Sequence, residues 1–137
     1  MRKLGIDYGD ARVGIAITDE LNITVQGLET ITHNGNDKIV LKRLDQIVEK
    51  YKIDTMVVGM PFNMDGSSSF RVEATEKFIH KLKCKYNKIK IETMDERLTT
   101  VQAHNTMNEL GIKSKNKKQI VDTLSAVYIL ETYVNKK

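Results

Sequence analysis

At 137 residues and 15.6 kDa, the chain has room for one domain, spanning 1–137, which at this size buries roughly 70% of the surface its unfolded form exposes. Hydrophobic residues make up 40% and charged ones 29%, with 8 Gly and 1 Pro, a balance that excludes disordered, collagen-like and membrane-embedded chains. The net charge of +4 is unevenly laid out, because Lys81, Lys83, Lys85, Lys88 and Lys90, then Lys113, Lys115, Lys117 and Lys118, then Lys136 and Lys137 form runs free of acids, and the remainder is acidic. Such segregation suits a polyanion resting on an acidic body, although solvated faces and a frayed tail explain any single run equally well.

The elements follow from periodicity. Arg2 to Tyr8 reads as a strand, and Arg12 to Thr18 as a second in which Val13, Ile15 and Ile17 alternate with smaller residues. Gly9-Asp10-Ala11 joins them as a hairpin, and Val25 to Thr32 completes an antiparallel meander. From Asp37 to Tyr51, the residues Val40, Leu44, Ile47, Val48 and Tyr51 share one helical face. Asp54 to Met60, with its run of Met56, Val57 and Val58, reads as a central strand covered on both faces.

A loop over Pro61 to Ser68 precedes a helix from about Ser69 to Tyr86 and a strand from Lys88 to Met94. Thr99-x-x-Gln102 forms a capping box for a helix ending at Gly111, a lysine-rich loop follows, and Gln119 to Val134 is the final helix. The expectation is an α/β fold with helices on both faces of a mixed five-stranded sheet. Right-handed crossovers give the order 3-2-1-4-5 with the first three strands antiparallel. Ligands then collect beyond Tyr8-Gly9, Met60-Pro61 and Asp95-Glu96, at the carboxyl ends of the parallel strands.

No apolar stretch approaches a bilayer span, and Met1-Arg2-Lys3 leads into Gly5-Ile6-Asp7 rather than a signal-peptide core, so a cytoplasmic protein without a membrane partner is expected. Cys84, the only cysteine, reads as a partly buried small hydrophobe. His33, His80 and His104 have no metal-ligand spacing and read as scattered surface histidines.

Asp7 interrupts the central apolar strand, where an unpaired charge costs several kcal/mol. Asp122 interrupts a helix apolar nearly all round, next to the small residues Ser125 and Ala126 that let its face approach a sheet. Together with Asp95 and Glu96, these acids converge on one edge of the expected sheet. A set of carboxylates with few histidines suits Mg²⁺ or Mn²⁺, and two such ions roughly 4 Å apart activate water for phosphodiester cleavage. Each acid also has a structural explanation: Asp7 paired with Arg12 or Arg97, Asp122 solvated near the helix start, Asp95 and Glu96 as loop acids. Glycines at 5, 9 and 14, and again at 59 and 66 around Asn63, leave room for a phosphate backbone.

The stretch from Gly5-Ile6-Asp7-Tyr8-Gly9 to Gly14, the block Gly59-Met60-Pro61-Phe62-Asn63-Met64-Asp65-Gly66, Asp95-Glu96-Arg97-Leu98-Thr99-Thr100 and Val121-Asp122-x-x-Ser125-Ala126 together resemble the YqgF family, a Holliday-junction-resolvase-like family of pre-16S ribosomal RNA nucleases. The resemblance covers essentially the whole chain. It implies an RNase H-like fold and a metal-dependent endonuclease acting in ribosome biogenesis, at the 5′ end of small-subunit ribosomal RNA. It also implies a catalytic set of Asp7, Asp95, Glu96 and Asp122. Of these, Asp7, Asp122 and one of the Asp95-Glu96 pair would hold the metal, because neighbours on a strand face opposite ways, with Glu96 favoured for its reach. Arg97 would hold phosphate, alongside Arg12, Asn63, Lys115, Lys117 and Lys118 as nucleic-acid contacts. Related junction resolvases carry an acid where this chain has Gly59-Met60, which disfavours junction DNA relative to structured RNA. The competing readings are a junction resolvase, a non-catalytic RNA-binding assembly factor and an actin-type ATPase. The oligomeric state is not legible.

Overall fold

The computed structural model describes residues 1–62, 70–95 and 114–135, with the backbone alone for 114–119. Five strands, β1 (Arg2–Tyr8), β2 (Arg12–Thr18), β3 (Val25–Thr32), β4 (Ile53–Met60) and β5 (Lys90–Asp95), form one sheet in the order β3-β2-β1-β4-β5. β1 is antiparallel to β2 and β2 to β3, whereas β4 runs parallel to both β1 and β5. The expected order and directions are therefore observed.

Pleat alternation divides the sheet into two faces. Leu4 and Ile6 of β1, Val13, Ile15 and Ile17 of β2, and Met56 and Val58 of β4 point to one side. There they meet Val40, Leu44 and Ile47 of α1 (Asp37–Tyr51) and Val72, Phe78 and Leu82 of α2 (Phe70–Lys85). A side chain such as Phe78 or Leu44, with no exposed surface, contributes about 1.5–3 kcal/mol through its burial, so this layer carries most of the core energy. Helix α1 begins where the Asn36 side chain accepts the Lys38 N–H at 3.1 Å. It ends at Lys52, whose left-handed backbone (φ 55°) lets its N–H return to the Val48 carbonyl.

The opposite face is nearly bare of bulk. Gly5, Gly14, Ala16 and Gly27 lie there, and helix α3 (Ser114–Asn135) crosses them, packing Ala126, Ile129 and Leu130 beside Ala16 and Val57. A methyl group at Gly5 would come within 2.6 Å of the Ala126 carbonyl oxygen and 2.7 Å of the Leu130 Cβ. Small residues on the sheet thus set how closely the helix approaches, and with it the depth of Asp122.

Helix α3 starts five residues before the expected Gln119, so Lys115, Lys117 and Lys118 belong to a helix rather than to a loop. Lysine is a good helix former, and no Gly or Pro follows Gly111 to stop the helix extending backwards. The expected helix of 99–111 and its capping box lie outside the described residues. Two smaller readings also change. Cys84 is exposed, its Sγ 3.5 Å from His80 Nε2, because it falls on the outer side of α2. His33 is only 2% exposed, since both of its ring nitrogens find backbone partners. Among the described residues no helix is long and apolar enough to cross a membrane.

Candidate active site

Asp7 stands on the bare face of β1, two residues beyond Gly5, and pairs across the ladder with Gly14 of β2. Helix α3 passes directly over that glycine at Asp122. Two acids 115 positions apart in sequence therefore line one cleft of about 300 Å³, together with Gly9, Asp10, Ala11, Arg12, Arg71, Val121 and Ser125.

The rim of the cleft is braced from three directions. The β1–β2 hairpin closes with the Gly9 N–H donating to the Arg12 carbonyl at 2.9 Å, while the backbone N–H groups of His33 and Asn34 donate to the Ala11 carbonyl. The His33 ring fixes the same turn. Its Nδ1 accepts the Gly35 N–H at 3.1 Å, so its Nε2 carries the proton and donates to the Gly9 carbonyl at 2.8 Å. From the start of α2, Arg71 Nη2 donates to the Tyr8 carbonyl at 3.0 Å.

Behind the cleft, Tyr8 stacks between His33 and Phe78, with ring centroids at 5.5 and 4.3 Å. Its hydroxyl donates to Asp37 Oδ1 at 2.5 Å, and Asp37 Oδ2 accepts from Lys81 Nζ at 2.9 Å. Burial pushes the Tyr8 hydroxyl far above the ordinary tyrosine range, reinforced by its bond to Asp37 and by the negative charges of Asp37 and Asp10. Tyr8 is thus a neutral donor that ties β1 to both α1 and α2, not an acid or base for catalysis.

Within the cleft, Arg12 Nε donates to Asp122 Oδ2 at 2.7 Å, a short charge-assisted bond. Of the two arginines expected as partners for Asp7, Arg12 is bound to Asp122, and Arg97 lies outside the described residues. Ser125 has no exposed surface, and its hydroxyl has no hydrogen-bond partner among the described residues. Orphaned buried hydroxyls are rare in folded proteins and mark places where a ligand or water completes the site. The donor chemistry of Asp7, Asp10, Asp122 and Ser125, oxygen throughout, fits a hard divalent cation. Among the described residues, however, no three acids form a group able to hold one.

Asp95 lies elsewhere. It pairs with Met60, shares the α2 side of the sheet, and lines a separate cleft of about 450 Å³ with Phe62, Glu76, His80 and Lys83. Asn63, Glu96 and Arg97 lie outside the described residues, as do the side chains of Lys115, Lys117 and Lys118. Sequence reasoning missed Asp10, Arg71 and the buried hydroxyl of Ser125, which has no hydrogen-bond partner among the described residues. The position of Asp10 at the hairpin tip beside the candidate strand end was the one available signal.

This strand order, with an acidic cleft at the carboxyl end of its central strand, defines an RNase H-like fold of the resolvase type. Two solved structures share it. Thermus thermophilus RuvC in complex with a Holliday junction substrate matches with a TM-score of 0.52 at 13% identity, covering 98% of this chain and 96% of that one. Fowlpox virus resolvase in complex with junction DNA matches with a TM-score of 0.62 at 12% identity, covering 98% and 97%. At these identities the likeness is one of fold. The model of the RuvX family, described as Holliday junction resolvase, matches residues 1–136, and the chain belongs to that family. Curated relatives bear the name "Putative pre-16S rRNA nuclease". One from Acetivibrio thermocellus is 50% identical over 137 residues, covering 100% of this chain and 97% of its own. Another from Clostridium acetobutylicum is 42% identical over 135 residues, covering 98% of both. The resemblance to the YqgF family is thereby borne out, along with membership of a nuclease class.

Proposed function

We propose that the chain is a divalent-metal-dependent endonuclease, one domain acting in the cytoplasm, that hydrolyses structured RNA at the 5′ end of the 16S ribosomal RNA precursor. The observation that carries this reading is the convergence of Asp7 and Asp122 on one cleft through the contact of Gly14 with α3. A bound Mg²⁺ or Mn²⁺ supplies an activated water and neutralises charge on the leaving oxygen. Asp7 and Asp122 hold the ion, with Glu96 as the third acid, because Asp95 is turned to the other face. Arg12 and Arg71, at the cleft, bind the phosphate backbone. Asn63, Arg97, Lys115, Lys117 and Lys118 extend that contact along the nucleic acid. Few aromatic residues, 6% with no Trp, favour recognition by shape and backbone over base stacking.

The test is cleavage of a precursor ribosomal RNA fragment with Mg²⁺ or Mn²⁺ by the wild type, Asp7→Asn and Asp122→Asn. Both variants should lose turnover. Equal activity in all three proteins removes the proposed chemistry, and salt-dependent binding without any turnover leaves an RNA-binding module. A second substrate, junction DNA, is supported by the description of the family model. A four-way junction in the same assay separates the two substrates.

A further inference from the structure

Arg12 and Asp122 lie 110 positions apart, yet their side chains form an ion pair on the cleft floor, at 2.7 Å. The two side chains remain 31% and 21% exposed, so an incoming cation reaches the pair without opening the core. The backbone that carries Arg12 is pinned by the hairpin bonds to His33 and Asn34, so any motion belongs to the side chain. A guanidinium only donates, and it satisfies Asp122 while Ser125, one helical turn away, still has no partner among the described residues. Among the described residues the cleft sets three carboxylates against two guanidinium groups, one of them paired with Asp122, and leaves the Ser125 hydroxyl without a partner.

We propose that Arg12 is the resident counter-ion of Asp122 and is exchanged for the divalent cation, after which its freed guanidinium takes a phosphate of the nucleic acid. This rests on the nuclease reading above and adds its order of events. Arg12 compensates the charge of Asp122 at the half-buried floor of the cleft. Two cations compete for one carboxylate, so divalent affinity is reduced by the strength of the arginine bond. Nucleic acid that draws Arg12 away tightens ion binding, and the ion tightens nucleic-acid binding by the same factor. Ion and substrate thus reinforce each other's binding at this site.

Calorimetric titration of the whole chain with Mn²⁺, in the absence of nucleic acid, tests the exchange on the wild type, Arg12→Gln and Asp122→Asn. Arg12→Gln should bind about tenfold more tightly than the wild type, the strength of one charge-assisted hydrogen bond, and Asp122→Asn more weakly. A crystal structure of the wild type with Mn²⁺ should show Arg12 Nε parted from Asp122 Oδ2, and it decides the matter even if Arg12→Gln does not fold. Equal or weaker Mn²⁺ binding by a folded Arg12→Gln, or a bound ion beside an intact pair, overturns the exchange. Should the wild type still cleave RNA in that case, the nuclease reading stands alone. Absence of both cleavage and Mn²⁺ binding in the wild type ends both.

Discussion

Gly14 lies directly beneath Asp122, so closely that a methyl group at position 14 would overlap the Asp122 carbonyl oxygen. Because Gly14 is also the ladder partner of Asp7, this single contact joins the central strand to the helix that carries the second acid. The atom in the way belongs to the backbone, so the helix itself would have to shift. Overpacking of this kind costs about 1–3 kcal/mol or more.

Gly14→Ala should therefore lose at least about 3 kcal/mol in urea denaturation and most of its nuclease activity. Gly35→Ala is the control: its glycine has a positive φ of 86° with open space around it, and the substitution should cost only about 1–2 kcal/mol of backbone strain. Activity of Gly35→Ala should persist. Wild-type stability in Gly14→Ala would mean that α3 does not sit on that glycine.

The faces of β5 give a second contrast. Asp95 shares the α2 side with Met60, whereas Met94 packs with the α3 cluster on the side of Asp7. Asp95→Asn should keep turnover within a factor of about 3, whereas Glu96→Gln and Asp7→Asn should each lose about a hundredfold or more. Single-turnover cleavage at saturating Mg²⁺ measures this. Loss of activity in Asp95→Asn with Glu96→Gln unaffected would reverse the assignment.

Much of this site was legible before any coordinates, because strand alternation and crossover handedness are local rules. Val13, Ile15 and Ile17 mark β2, and the helix of Val40, Leu44 and Ile47 forces the crossover that places β4 beside β1. Two acids in apolar elements then had to meet at one strand end. The Arg12–Asp122 pair was not legible, since nothing in either segment encodes a contact over 110 positions. The glycines misled in their purpose: Gly5 and Gly14 make room for α3 rather than for phosphate. Alternation said that Asp95 and Glu96 diverge, but only the packing of α2 says that Asp95 meets the α2 side. His33 reads as a surface residue because its partners are backbone groups, which no sequence pattern announces.

Arg71 offers a test of substrate binding apart from chemistry. It lines the cleft and donates one bond to the Tyr8 carbonyl, leaving further guanidinium donors in hand. Arg71→Ala should weaken binding of an RNA hairpin and lower the slope of log affinity against log salt by about one, as for one lost phosphate contact. Fluorescence anisotropy in Ca²⁺ between low and moderate salt reads this slope. An unchanged slope would confine Arg71 to bracing the end of β1.

The raised tyrosines make stability depend on pH in the alkaline range. Burial and the bond to Asp37 raise Tyr8, and burial with a 2.6 Å bond to Asp45 raises Tyr86 in the same direction. In both, the folded state holds its phenolic proton after the unfolded chain has begun to lose it, near pH 10. Their stabilisation is therefore complete below about pH 10 and falls as pH climbs towards the folded values. Tyr8→Phe and Tyr86→Phe should each cost about 1–2 kcal/mol at pH 8, through loss of one hydrogen bond to a carboxylate. The double variant should also lose stability less steeply than the wild type between pH 9.5 and 11, roughly the window opened by these two groups. Urea midpoints across that range, with lysine titration common to both proteins, isolate the difference. Parallel curves would show that neither hydroxyl holds its proton more tightly in the folded chain.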